Sequence, residues 1–126
     1  ARPPKPGAIQ PNPVEGDPSA HTGEPGEVDL HVEWTSENSS TPVCEWSRNG
    51  VQQPCGDMER AVKEPGLRDY IGFWEYETTG HVGDVFTVTA QGNIGIKSIN
   101  CSVAWKGVYH PGVTNGRRCG VSYTLA

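Results

Sequence analysis

The stretch VCEWSRNGVQQPC, residues 43–55, decides the fold. Asn49-Gly50 lies at its centre, with Cys44 and Cys55 at equal distance on either side. Asn-Gly is the strongest short signal for a two-residue type I′ hairpin turn, because both turn positions need φ > 0. If Arg48 pairs with Val51, the register runs Ser47 with Gln52, Trp46 with Gln53, Glu45 with Pro54 and Cys44 with Cys55. This places the two thiols at a hydrogen-bonded pair, where Cα atoms lie roughly 5.5 Å apart, a separation a disulfide can bridge. Pro54 falls where the ladder needs no N–H, so it is tolerated.

Outward from this hairpin the chain reads as short strands. Val28, Leu30, Val32 and Trp34 alternate with Asp29, His31, Glu33 and Thr35, the period of a half-buried strand. The aromatic run from Tyr70 to Thr79 is another strand, and Phe86, Val88 and Ala90 face one way in the next. Asp57 to Val62 has the look of one helical turn, ended by Pro65-Gly66. Near the C-terminus, Ile99, Cys101, Val103 and Trp105 share a face, as do Cys119, Val121, Tyr123 and Leu125. These two stretches read as a second hairpin that pairs Cys101 with Cys119, and closing that loop contributes on the order of 3 kcal/mol in the chain-entropy model. Four cysteines that pair without remainder imply an oxidising compartment and an exported protein.

Composition narrows the class. With Gly 16 and Pro 11 in 126 residues and only 34% hydrophobic residues, short strands and turns are favoured over long helices. A net charge of −5 without any basic run argues against nucleic acid as a partner. No apolar stretch approaches the roughly 20 residues needed to span a bilayer. Residues 1–27 carry seven of the eleven prolines and almost nothing apolar. Such a segment reads as an extended, polyproline-like arm, either a linker to an anchor or cell wall or an element that docks on a partner. Its apolar groups, Ile9 and Val14, would be the anchors in the docking case.

Catalytic chemistry finds little support. Ten, forty-five and seventeen residues separate successive cysteines, which is not zinc-ligand spacing. C-x-x-C is absent, and no metal or cofactor is expected. His21, His31, His81 and His110 form no H-x-x-x-H pair; His81 and Asp84 share a turn and could meet. Gly120-Val121-Ser122 is not a nucleophile elbow. Glu75 and Glu77, two apart on one strand face, could line a groove, although a solvated face is the ordinary reading. Among the aromatics, Trp34, Trp105 and Trp46 read as core, while Trp74 and Tyr76 are the candidates for an exposed platform toward sugar or protein. Asn38-Ser39-Ser40 and Asn100-Cys101-Ser102 match the N-glycosylation pattern.

The second half resembles a known family. Ala90-Gln91-Gly92, then Cys101-Ser102-Val103-Ala104-Trp105-Lys106-Gly107, then the closing Cys119 are similar to the extracytoplasmic domain of the mycobacterial small membrane proteins called MmpS. Val28 to Trp34 looks like that family's opening strand, Asn49-Gly50 like its hairpin turn and Phe73-Trp74 like its aromatic strand start, so the likeness spans about residues 28–125. It implies an envelope accessory domain that works with a large transporter and is not an enzyme. Two features depart from the family: a Pro-rich arm stands where it has a transmembrane helix, and Cys44 with Cys55 has no counterpart.

The sequence therefore predicts an all-β protein, an immunoglobulin-like antiparallel β-sandwich over 28–126 with an extended Pro-rich arm over 1–27. It is expected to be an exported, non-catalytic accessory subunit of the cell envelope or extracellular space. Partners would be a larger assembly or neighbouring copies reached through the arm, with Ile9, Val14, Trp74 and Tyr76 as contacts. The alternatives are a structural subunit of a surface assembly or virion, and a module that binds carbohydrate such as cell-wall glycan.

Overall fold

The computed structural model describes residues 23–56, 62–63 and 65–126. Among them are nine strands and no helix: β1 Pro25–Ser36, β2 Val43–Arg48, β3 Val51–Pro54, β4 Tyr70–His81, β5 Val85–Gln91, β6 Ile96–Trp105, β7 Val108–Pro111, β8 Val113–Asn115 and β9 Arg118–Thr124. They form two antiparallel sheets, ordered β4-β1-β6-β7 (sheet I) and β3-β2-β5-β9-β8 (sheet II). The sheets pack as a β-sandwich. Two antiparallel pairs interlock across it, β1 with β4 in sheet I and β2 with β5 in sheet II.

The hairpin register is the one the sequence dictates. Arg48 faces Val51 and Glu45 faces Pro54, and Cys55 N–H donates to the Cys44 carbonyl at 3.3 Å. Asn49 and Gly50 have φ of 51° and 85°, as a type I′ turn requires. The disulfide Cys44–Cys55 spans Cα atoms 5.4 Å apart, and Cys101–Cys119 spans 5.6 Å.

The second hairpin is corrected. Cys101 and Cys119 are joined, but their strands do not pair: β6 belongs to sheet I and β9 to sheet II, so this disulfide ties the two layers together. Two short strands intervene. Lys106-Gly107, with φ of 51° and 82°, turns β6 back into β7. Gly116 leads the two-residue turn from β8 into β9. A Lys-Gly turn is a weak sequence signal, and strands of four and three residues are too short to show a period.

The core is the alternation written out in space. Val28, Leu30, Val32 and Trp34 of β1 face Phe86, Val88 and Ala90 of β5, with Ile99, Cys101, Val103 and Trp105 of β6, and all are buried. Burying each large side chain contributes roughly 1.5–3 kcal/mol. Gly72 has a reason of its own. It sits opposite Trp34, and a Cβ there would run into the indole ring. A glycine in the middle of a strand thus makes room for the largest side chain of the core.

β1 starts at Pro25, so Pro25, Gly26 and Glu27, assigned to the arm from sequence, pair with His81, Gly80 and Thr79 in the ladder. Residues 1–22, and with them Ile9 and Val14, lie outside the described residues. So does the expected helical turn up to residue 61; Val62 makes a lone bridge to Ile71.

Candidate functional site

Period two gives β1 a second face as consistent as its first. Glu27, Asp29, His31, Glu33 and Thr35 point out of sheet I, and the register fixes their neighbours. Asp29 lies between Glu77 and Ala104, His31 between Glu75 and Ser102, and Glu33 between Phe73 and Asn100. Tyr109 continues the Asp29 row on β7, and Pro111 the His31 row. Five carboxylates thus share one sheet face. The lysines of this sheet are engaged elsewhere, Lys97 with Asp69 at 3.3 Å and Lys106 with Glu24 at 3.1 Å. The ionisable base among the carboxylates is His31, whose Nε2 is 3.9 Å from Glu33 Oε1.

At the centre, Asp29, Glu75 and Glu77 each bring a carboxylate oxygen within 4.8 Å of the others. Burial, then a hydrogen bond with Glu75, then the charges of Glu75, Glu77 and Glu27 push the Asp29 carboxyl up to about 7. Two carboxylates share a hydrogen bond only when one carries a proton, so the crowding at Asp29 favours its protonated form over a further negative charge beside Glu75. Chemically the trio is a focus of negative charge suited to an ammonium, a guanidinium or a hard divalent cation.

Beside it runs a groove of about 250 Å³ lined by Asp29, His31, Ser102, Ala104 and Tyr109. Two of its five lining residues, His31 and Tyr109, carry rings. Tyr109 is 61% exposed, and His31 stacks on Phe73 with ring centroids 5.9 Å apart. A second hollow, of about 480 Å³, lies at the head of β1 between Pro25, Glu27, Glu77 and Thr79. The face therefore combines charge with flat apolar surface.

The aromatics selected from sequence lie elsewhere. Trp74 is only 7% exposed, and its Nε1 donates to the Cys55 carbonyl at 2.7 Å. Its burial removes it as a platform: the inward phase of β4 carries Gly72, Trp74 and Tyr76 together. Tyr76, 37% exposed, closes the end of an internal stack with Trp74 at 6.4 Å and Trp46 at 5.1 Å. The pair Glu75 and Glu77 does line a surface as expected. What sequence reading missed is Asp29, read merely as the polar phase of β1; the pairing of β1 with β4 is what brings it to them.

His81 and Asp84 do meet, in a structural role. The buried Asp84 carboxylate accepts from the His81 backbone N–H at 2.9 Å and from Asn49 Nδ2 at 3.0 Å, while Val85 N–H donates to Asn49 Oδ1 at 2.8 Å. Asn49 thereby locks its own turn to the β4–β5 turn. Asn38 in the first glycosylation pattern uses its Oδ1 to accept from Ser36 Oγ at 2.9 Å and from Ser40 N–H at 3.1 Å. No described helix is long and apolar enough to cross a membrane. Comparison with protein-family models, with curated proteins and with solved structures finds no match to this chain.

Proposed function

We propose that this protein is an exported, non-catalytic binding subunit, and that the outer face of sheet I is its docking surface for a cationic polypeptide segment of a larger assembly. The observation that carries this reading is the set of five carboxylates, Glu27, Asp29, Glu33, Glu75 and Glu77, on one face without a lysine or arginine among them in the described residues. A like-charged face of this kind costs stability through self-repulsion, a cost that a cationic partner relieves. Tyr109, His31 and Phe73 add the aromatic surface that polypeptide interfaces favour over simple ion exchange. Two disulfides in so small a domain support export. The interlocked pairs β1/β4 and β2/β5 support the immunoglobulin-like reading of the sandwich. An envelope accessory role of the MmpS kind is compatible with a face of this sort and is the setting we favour.

The test is a titration of the ¹⁵N-labelled protein with an Arg- and Pro-containing peptide, followed by NMR. Shifts confined to Asp29, His31, Glu75, Ser102 and Tyr109 are expected. Shifts scattered over both sheets, or centred on sheet II, would remove the docking surface from this face.

A further inference from the structure

We propose that Asn115 is a covalent modification site, where the side-chain amide becomes a carboxylate without an enzyme, while the same dipeptide at Asn49 is held unreactive by the fold. The chain carries Asn-Gly twice, at Asn49-Gly50 and at Asn115-Gly116. The chemistry open to both is the same. The glycine backbone nitrogen gives up its proton and attacks the asparagine Cγ. A Cγ–N bond forms, the Cγ–Nδ2 bond breaks, and Nδ2 leaves as ammonia. Water then opens the five-membered imide at either carbonyl, which leaves aspartate or isoaspartate. The sum is amide plus water giving acid plus ammonia, with nothing oxidised or reduced. Glycine favours the step because it has no Cβ to shield its nitrogen.

The fold treats the two sites differently. At Asn49 both ends of the side-chain amide are engaged. Nδ2 donates to Asp84 Oδ1 at 3.0 Å, and Oδ1 accepts from Val85 N–H at 2.8 Å. The Asn49 N–H also donates to the Val85 carbonyl at 2.8 Å. Asp84 is buried, so turning the amide out would take a donor from a buried carboxylate, a costly loss. The strand that leads into this turn, β2, is paired on both sides, with β3 and with β5. Cys44–Cys55 closes the hairpin behind it.

Asn115 has none of this. It ends β8, a three-residue strand at the edge of sheet II whose residues are all exposed. Its side chain is hydrogen-bonded to no group among the described residues. Gly116 has φ of 65°, and a Cβ there would meet nothing within 4 Å, so the turn is open to water. Asn115 pairs with Arg118 at the end of the β8–β9 ladder, and short exposed edge pairings open first. Once this pair opens, rotation about the Asn115 ψ brings the Gly116 nitrogen onto Cγ. Arg117 and Arg118, both exposed, follow directly, and their charge favours the anionic form of the attacking nitrogen.

The sandwich survives the change. Thr114 Oγ1 donates to the Ile99 carbonyl at 2.8 Å, Gly112 N–H donates to the Cys101 carbonyl at 2.8 Å, and Cys101–Cys119 holds β9. What alters is charge: one carboxylate appears beside two arginines and takes the formal net charge from −5 to −6. Loss of ammonia makes the conversion one-way.

The experiment incubates the folded full chain at pH 8 and 37 °C and follows both Asn-Gly sites by peptide mass spectrometry, with isoaspartate separated by chromatography. A reduced sample unfolded in guanidinium runs in parallel, as does the folded Asn115→Gln variant. Asn115 should convert at least about tenfold faster than Asn49 in the folded chain and within about threefold of it in the unfolded one. Asn115→Gln should lose the acidic species that accumulates in wild type. If Asn115 stays an amide in the folded chain, or Asn49 converts as fast, the proposal is overturned. If the tenfold gap persists in the unfolded chain, neighbouring sequence and not the fold sets it, and the structural assignment falls.

Discussion

The two outer faces of the sandwich are built by the same rule and carry opposite contents. Outside sheet I stand five carboxylates around His31, with the Asp29 carboxyl pushed up to about 7 by burial and by its acidic neighbours. Outside sheet II, Thr89 faces Glu45 and Gly120, and Thr87 faces Ser47 and Ser122. Thr87 Oγ1 and Ser122 Oγ lie 3.1 Å apart, and the outward charges on these strands are Glu45 and Arg118, while Arg48 is buried. Both faces satisfy their backbones and cover the same core. A neutral hydroxyl face is what solubility alone asks of a sheet. The charge on sheet I exceeds that need and opposes folding, which is why we assign function to it.

Substitutions at the core set the scale against which the two faces are compared. Removing the bond between layers, as in C101A/C119A, should cost about 3 kcal/mol and lower the melting temperature by more than 10 °C at roughly 4–8 °C per kcal/mol. C44A/C55A closes a shorter loop inside one sheet and should cost a few tenths of a kcal/mol less. Calorimetry of the two variants checks the order; a larger loss from C44A/C55A would show that sheet II, and not the joint between sheets, limits stability. Next in size is Gly72→Ala, whose methyl meets the Trp34 ring and should cost about 1–3 kcal/mol through overpacking. Urea unfolding measures it.

A smaller effect separates the faces directly. The folded-state pKa of Asp29 is raised above its ordinary value of 3.8 to about 7. A raised carboxyl stabilises the fold where it is protonated, so this contribution is full below about pH 4 and is lost as the pH rises to 7. After screening by solvent its size is on the order of 1 kcal/mol. Asp29→Asn should therefore flatten that slope and be the more stable form at pH 7.5, as followed by urea midpoints from pH 4 to 8. Thr87→Ala on sheet II should change stability by no more than about 0.5 kcal/mol and leave the pH slope intact.

How far the sequence led depends on whether the deciding signal was local. Asn49-Gly50 sets a turn, a register and a disulfide within thirteen residues, and all three are read directly. The alternation in β1 named its four core residues without error. Three things were hidden because they depend on contacts distant in sequence. The acidic centre exists only where β1 pairs with β4, which joins Asp29 to Glu75 and Glu77. Trp74 reads as exposed until Gly72 and Trp34 fix the phase of β4. The hairpin expected of Cys101 and Cys119 breaks on the Lys106-Gly107 turn, because two cysteines on inward faces can meet across a core as well as along a ladder.

Sheet I, and not sheet II, is the docking surface we propose. The most direct measurement is the affinity of an Arg- and Pro-containing peptide for E75Q/E77Q and for T87A/S122A, at low and at 0.5 M salt. At least about a fivefold loss is expected for E75Q/E77Q, no change for T87A/S122A, and a difference that shrinks at high salt as exposed charge pairs are screened. Equal affinities for the two variants would contradict it.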